Sequence, residues 1–89
     1  MDLQVTRRQI DEIDRRIIEM YLRRMEITDQ IGAWKRQNNI PVYDPAREQQ
    51  LLDKAAEIAG EEHAEEVREL FRCILSRSKN RQEKKKEEI

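Results

Sequence analysis

Residues 2–38 read DLQVTRRQIDEIDRRIIEMYLRRMEITDQIGAWKRQN, a stretch with no proline. Counted in sevens, Leu3, Ile10, Ile17 and Ile31 fall on one line, and Ile13, Met20, Ile27 and Trp34 on the next. A pattern kept over almost five heptads predicts one long amphipathic helix. Between Ile17 and Leu22 the apolar residues spread around most of the circumference, taking in Ile18, Met20 and Tyr21, so the middle of the helix should be covered on several sides. Gly32 interrupts the pattern at a cost of roughly 1 kcal/mol in helix propensity. Close approach of another backbone is one reason to keep it there.

Working outward from this helix, Asn38, Asn39 and Pro41 end it. Ile40, Pro41, Val42 and Tyr43 read as an extended connector, because a residue before proline avoids the α region. Asp44-Pro45 then starts a second helix, with Asp as N-cap and Pro at the first helical position. That helix should run to about Ala59 and stop at Gly60, burying Leu51, Leu52, Ala55 and Ala59. A third helix should begin near Glu61, where Glu61 and Glu62 suit the positive helix end, and bury Val67, Leu70, Phe71, Ile74 and Leu75. From Lys79 onward the chain is almost wholly polar, and residues 79–89 are expected to form a partly frayed tail. The reading is therefore all-α, three helices, with residues 1–89 as a single domain.

Composition agrees. Charged residues are 42% of the chain and hydrophobic residues 37%, with only two Gly and two Pro, which suits long helices with charged outer faces and disfavours a β-fold. The net charge of −1 supplies no global field for nucleic acid or an anionic membrane, so any electrostatic function must be local. Cys73 is the only cysteine, which excludes an intramolecular disulfide and a thiolate metal cluster. No apolar run approaches the ~20 residues of a membrane span, and the first residues lack a signal-peptide core. A soluble cytoplasmic protein is the expectation.

A helix of that length would be roughly 55 Å long, whereas a compact chain of this size has a radius of gyration of only ~12 Å. Two shorter helices cannot cover such a rod. The expected assembly is an intertwined homodimer whose long helices pair along their length.

Function is read from the residues that break the apolar pattern. Arg24 occupies the line of Ile17 and Ile31, and Arg7 and Lys35 lie beside the inward stripe, while Arg8 and Arg23 should be solvated. Burying an unpaired cation costs several kcal/mol, so something anionic should compensate Arg24. The third helix continues its stripe to Ser78 and Gln82; the second places Glu48 one turn before Leu51 and Leu52, with Arg47 beside it near the Asp44 cap. Taken singly, each has a plainer explanation. A seam arginine can snorkel or set register; Ser78 and Gln82 can mark the stripe meeting solvent; Asp44 suffices as a cap; Glu48 can pair with Lys35 or Arg47. Polar groups directed inward from three helices at once favour a site for a small anion. His63 reads as surface or capping, Cys73 as structural, Trp34 and Phe71 as core or dimer contacts, and Lys84, Lys85 and Lys86, offset by Glu83, Glu87 and Glu88, as a solvated tail.

Four pieces in order carry a family resemblance. They are R-x-x-I-D-x-I-D from Arg7 to Asp14, R-x(10)-K from Arg24 to Lys35, P-V-Y-D-P-x-R-E from Pro41 to Glu48, and F-x-x-I-x-x-x-S-x-x-x-Q from Phe71 to Gln82. Together they resemble the small all-α chorismate mutases across essentially the whole ordered chain. The resemblance implies an intertwined dimer of three-helix chains with two sites shared between subunits, no cofactor and no metal. Arg7 would reach the partner's site and Arg24 its own, both binding substrate carboxylates with help from Ser78. Lys35 and Gln82 would donate to the ether oxygen, Glu48 with the Asp44 region would hold the ring hydroxyl, and Arg47 would line the pocket. The activity implied is rearrangement of chorismate to prephenate in phenylalanine and tyrosine biosynthesis, a unimolecular pericyclic step that needs no nucleophile, metal or general base. Two other readings remain at this point: an isochorismate-pyruvate lyase on the same fold, separable by incubation with each substrate, and a non-catalytic helical dimerisation or regulatory module. The last predicts that Arg24→Leu and Lys35→Leu stabilise the dimer at no cost in activity.

Overall fold

The computed structural model describes the backbone of residues 1–87 and the side chains of residues 1–84. It is helical throughout: α1 spans Leu3–Gln37, α2 Pro45–Ala59 and α3 Ala64–Glu87, with one 3₁₀ turn, Glu61–His63, before α3. No strand occurs among the described residues, and no helix is long and apolar enough to cross a membrane.

Each boundary has a local cause. Asp2 caps α1 by accepting from the backbone N–H groups of Gln4, at 2.9 Å, and Val5, at 3.3 Å. At the other end Asn39 takes the left-handed conformation at φ 57°. Its N–H donates to the Arg36 carbonyl and that of Ile40 to the Lys35 carbonyl, at 2.8 Å, the double closure of a Schellman motif. Asp44 caps α2 through the Arg47 N–H at 3.1 Å, and Pro45 loses nothing by lacking an N–H in the first turn. Gly60, at φ 87°, ends α2 in a conformation that a β-carbon would strain. The third helix opens as the 3₁₀ turn at Glu61, and its regular α-form starts three residues later than expected, at Ala64.

The short turn folds α3 back along α2, and the same helix packs on the C-terminal half of α1, so α3 is the central element. Contacts at Met25 with Ser78, Asp29 with Arg81 and Gly32 with Gln82 show α1 and α3 running in the same direction there. The Asp29 carboxylate takes Arg81 in a two-pronged pair at 2.8 and 2.9 Å, which holds that guanidinium's pKa above its ordinary range. Past Lys79 the helix continues to Glu87, and residues 88–89 of the expected tail lie outside the described residues. This pair and the burial of Gln82 supply the packing that polarity alone did not suggest. The charges of Lys85, Lys86, Glu87 and Glu88 lie outside the described side chains.

The core of one chain is thin. Met25, Ala55 and Ala56 are its buried apolar residues, and no large side chain among those described is fully buried. Leu51 and Leu52 are half-buried. Leu70, expected inside, is 57% exposed, and Trp34, expected as a core or dimer contact, is 56% exposed in the single chain. Ile10, Ile13, Ile17 and Met20 are each between 52% and 59% exposed, because α1 runs out past the other helices. The chain measures 55 × 29 × 14 Å with a radius of gyration of 16.4 Å, against ~12 Å for a compact chain of this length.

Asp44 is the sole side-chain cap of α2, so Asp44→Ala is expected to lower unfolding free energy by about 1 kcal/mol and Asp44→Ser by much less, as urea denaturation followed by circular dichroism would measure.

Candidate functional site

Between the C-terminal half of α1, the connector, the first turns of α2 and the last third of α3 lies a cleft of ≈ 410 Å³. Its bed is apolar: Met20, Ile27 and Ile31 from α1, Leu51 from α2 and Leu75 from α3. On that bed the fold sets five cationic side chains, Arg23, Arg24, Lys35, Arg47 and Lys79, against two carboxylates, Asp44 and Glu48. The excess of positive charge is local, as the near-zero net charge requires.

Arg24 is partly buried where α1 meets α3. Its Nη1 donates to Ser78 Oγ at 3.0 Å. Ser78, 5% exposed, passes its own proton to the Ile74 carbonyl at 3.0 Å, with the Met25 sulfur at 3.6 Å. Burial above all, then the neighbouring Arg47, pulls Arg24 below the usual guanidinium pKa, with Tyr21 opposing. A neutral hydroxyl does not compensate the charge, so the preference of this position for an anion persists. Lys35, half-buried one helical turn from the end of α1, donates from Nζ to the Val42 carbonyl at 3.0 Å. The connector thereby holds the ammonium against the cleft.

Arg47 Nη1 donates to Gln50 Oε1 at 2.8 Å, and its backbone serves the Asp44 cap. Glu48 is half-buried; among the described residues neither Lys35 nor Arg47 forms an ion pair with it. Gln82 is 8% exposed, and its Oε1 is buried with no hydrogen-bond partner. What approaches Gly32 closely is the side chain of Gln82, not another backbone.

The structure thus brings Arg24, Lys35, Asp44, Arg47, Glu48, Ser78 and Gln82 to one cleft. Arg7 does not join them. It is exposed on the free end of α1, seventeen residues and therefore ~25 Å of helix from Arg24. Two charged cleft residues lie outside the set that the sequence pattern picks out. Arg23, taken as solvated, is exposed yet lines the cleft, since it lies three residues after Met20 and four before Ile27. Lys79 was assigned to the tail, but it lies four residues after Leu75 and three before Gln82, on the same helical face. Its Nζ sits 4.5 Å from the centre of the Tyr43 ring, joining α3 to the connector by a cation–π contact. Extending the α3 stripe one more turn would have found it.

Fold and cleft describe an all-helical protein with a cationic pocket sized for a small carboxylate-bearing molecule. The chain belongs to the chorismate mutase type II family, whose model it matches over residues 6–83. It is 29% identical over 84 residues to the chorismate mutase of Methanocaldococcus jannaschii, an alignment covering 92% of this chain and 85% of that protein. It is 39% identical over 46 residues to the T-protein of Haemophilus influenzae, covering 52% of this chain and 12% of that one. No solved structure matches it.

Ser78→Ala removes the hydroxyl that orients Arg24. Hydrogen bonds to charged groups contribute on the order of 1.5–3 kcal/mol, so affinity for a small dicarboxylate in the cleft should fall about tenfold or more. Titration calorimetry on the two proteins checks this; unchanged affinity would mean that Arg24 is aimed by other groups.

Proposed function

We propose that this chain is a cytoplasmic chorismate mutase, converting chorismate to prephenate in phenylalanine and tyrosine biosynthesis, and that it works as a homodimer. The observation that carries the reading is the alignment of Arg24, Lys35 and Gln82 along the seam of α1 and α3, on an apolar bed. The substrate carries two carboxylates and an ether oxygen, and the reaction is one concerted rearrangement. The ether C–O bond breaks, a C–C bond forms between enolpyruvyl arm and ring, and the ether oxygen becomes a ketone oxygen. No atom leaves and no proton is transferred.

Two effects lower the barrier of such a step. The first is conformational. Arg24, supported by Ser78, grips a carboxylate while the apolar residues support the ring, so the flexible arm is held over its target. The second is electrostatic. Bond breaking runs ahead of bond making, so negative charge grows on the ether oxygen. Lys35 and the Gln82 amide donate there and bind the transition state more tightly than the ground state. Asp44 and Glu48 receive the ring hydroxyl, and Arg47 adds positive charge to the wall.

The dimer follows from the exposed seam of α1. A row of half-exposed Ile, Leu and Met along about 25 Å of helix is a surface that water does not tolerate well. A second α1 lying against it buries this row. The same pairing carries Arg7, too far to serve its own cleft, to that of the other chain, where it meets the second substrate carboxylate. Each site is then built from two chains.

Lys35→Ala is expected to lower kcat by ~10²–10³ while changing KM much less; a variant with near-normal kcat removes Lys35 from the chemistry. Release of pyruvate from isochorismate, with no turnover of chorismate, would replace the mutase by the lyase. Shared sites make a separate prediction: Arg7→Ala and Arg24→Ala, each inactive alone, should regain activity when unfolded and refolded together. Random re-pairing leaves one intact site in each mixed dimer, on the order of a quarter of the wild-type rate. Absence of recovery would place both arginines in a single chain's site.

A further inference from the structure

Gly32 is buried in the interior of α1, where any residue but proline would hold the helix better. Its backbone needs no positive φ, so the demand is on space rather than conformation. A β-carbon built there would lie 2.9 Å from Gln82 Cγ, 3.1 Å from Gln82 Oε1 and 3.3 Å from Gln82 Cδ. Its three nearest contacts all belong to this one side chain. The notch left by the missing side chain is therefore filled by the Gln82 amide, whose oxygen is buried in it without a hydrogen-bond partner. Oxygen and nitrogen stand on opposite sides of the amide carbon, so an oxygen seated against Gly32 turns the NH₂ group away from α1. Gln82 also lines the cleft, and Lys35 lies three residues beyond Gly32 on the same helix.

We propose that Gly32 is a positioning residue: it seats the Gln82 amide so that its nitrogen, not its oxygen, faces the substrate beside Lys35. This rests on the role given to Gln82 above. The distinction matters because an amide offers a donor at one end and an acceptor at the other. An acceptor turned toward the ether oxygen would oppose the charge that builds there. The notch offers the amide no hydrogen-bond partner, and an unpaired buried carbonyl is tolerated more readily than an unpaired buried N–H, so the oxygen takes the seat. Gly32→Ala fills the notch and forces the amide out of its seat.

The test is a double-mutant cycle on the full-length chain with Gly32→Ala, Gln82→Ala and the pair. Gly32→Ala should lower kcat about tenfold or more with little change in KM, as expected when a transition-state donor is misaligned. In the Gln82→Ala background the same substitution should cost nothing further, because the group it disturbs is gone. A normal kcat in Gly32→Ala, or an equal loss in both backgrounds, overturns the proposal. The Gln82 side-chain amide resonances, followed by ¹⁵N–¹H NMR, should move in Gly32→Ala; unchanged resonances also overturn it. That measurement does not depend on turnover, so a wild-type chain inactive on chorismate would count against the proposed function alone. Should Gly32→Ala fail to fold, recovery of folding in the double variant supports the steric coupling, and failure of both rejects it.

Discussion

A guanidinium placed on a hydrophobic helix seam must be given an acceptor or kept in reach of one, and Arg24 imposes that demand on the rest of this chain. Desolvating an unpaired cation costs several kcal/mol, a large part of a whole-domain stability of about 5–15 kcal/mol. The fold meets the demand halfway. Ser78 offers a neutral oxygen at 3.0 Å, which fixes direction without cancelling charge. Position 78 thereby becomes polar in the buried stripe of α3, and a cleft forms around the partly exposed cation. The arginine joins α1 to α3 through Ser78 and still leaves its charge in want of an anion.

The second constraint is geometric. α1 is thirty-five residues long, and only its C-terminal half meets α3. The other half is apolar along one face and, among the described residues, covered by nothing in its own chain. On the proposed reading this excess length is functional, since it carries Arg7 to a site its own chain cannot provide. It also explains how so thin a core, with three buried apolar residues among those described, suffices. Most of the burial that stabilises the protein would come from pairing, and folding and association would be one process.

Catalysis of a pericyclic step asks for a rigid, correctly signed surface rather than for reactive groups. On the proposed reading the cleft meets that requirement. Lys35 is held by a backbone carbonyl of the connector, Arg24 by a buried serine, and Gln82 by a notch in the facing helix. Even the connector is tied across the mouth by Lys79 over Tyr43. Preorganised donors avoid the reorganisation that water would undergo around the developing charge.

Much of this was legible in the chain itself. Heptad spacing specifies α1, and Asp44-Pro45 and Gly60 specify the limits of α2, because caps and breakers act through neighbouring backbone and need no tertiary partner. Inward positions of Arg24, Lys35, Glu48, Ser78 and Gln82 follow from the same periodicity. Tertiary packing decided the rest. Arg23 and Lys79 stand on the same helical faces as apolar cleft residues, but that those faces border one cleft depends on how the three helices are set together. Trp34 and Leu70 are apolar yet more than half exposed in the single chain, which their places in the helical pattern do not reveal. Gly32 shows the difference most plainly: sequence alone marks it as a defect in a helix, and only the approach of Gln82 from α3 gives the defect its shape. Periodicity says which way a side chain points; what it meets there depends on elements far away in the chain.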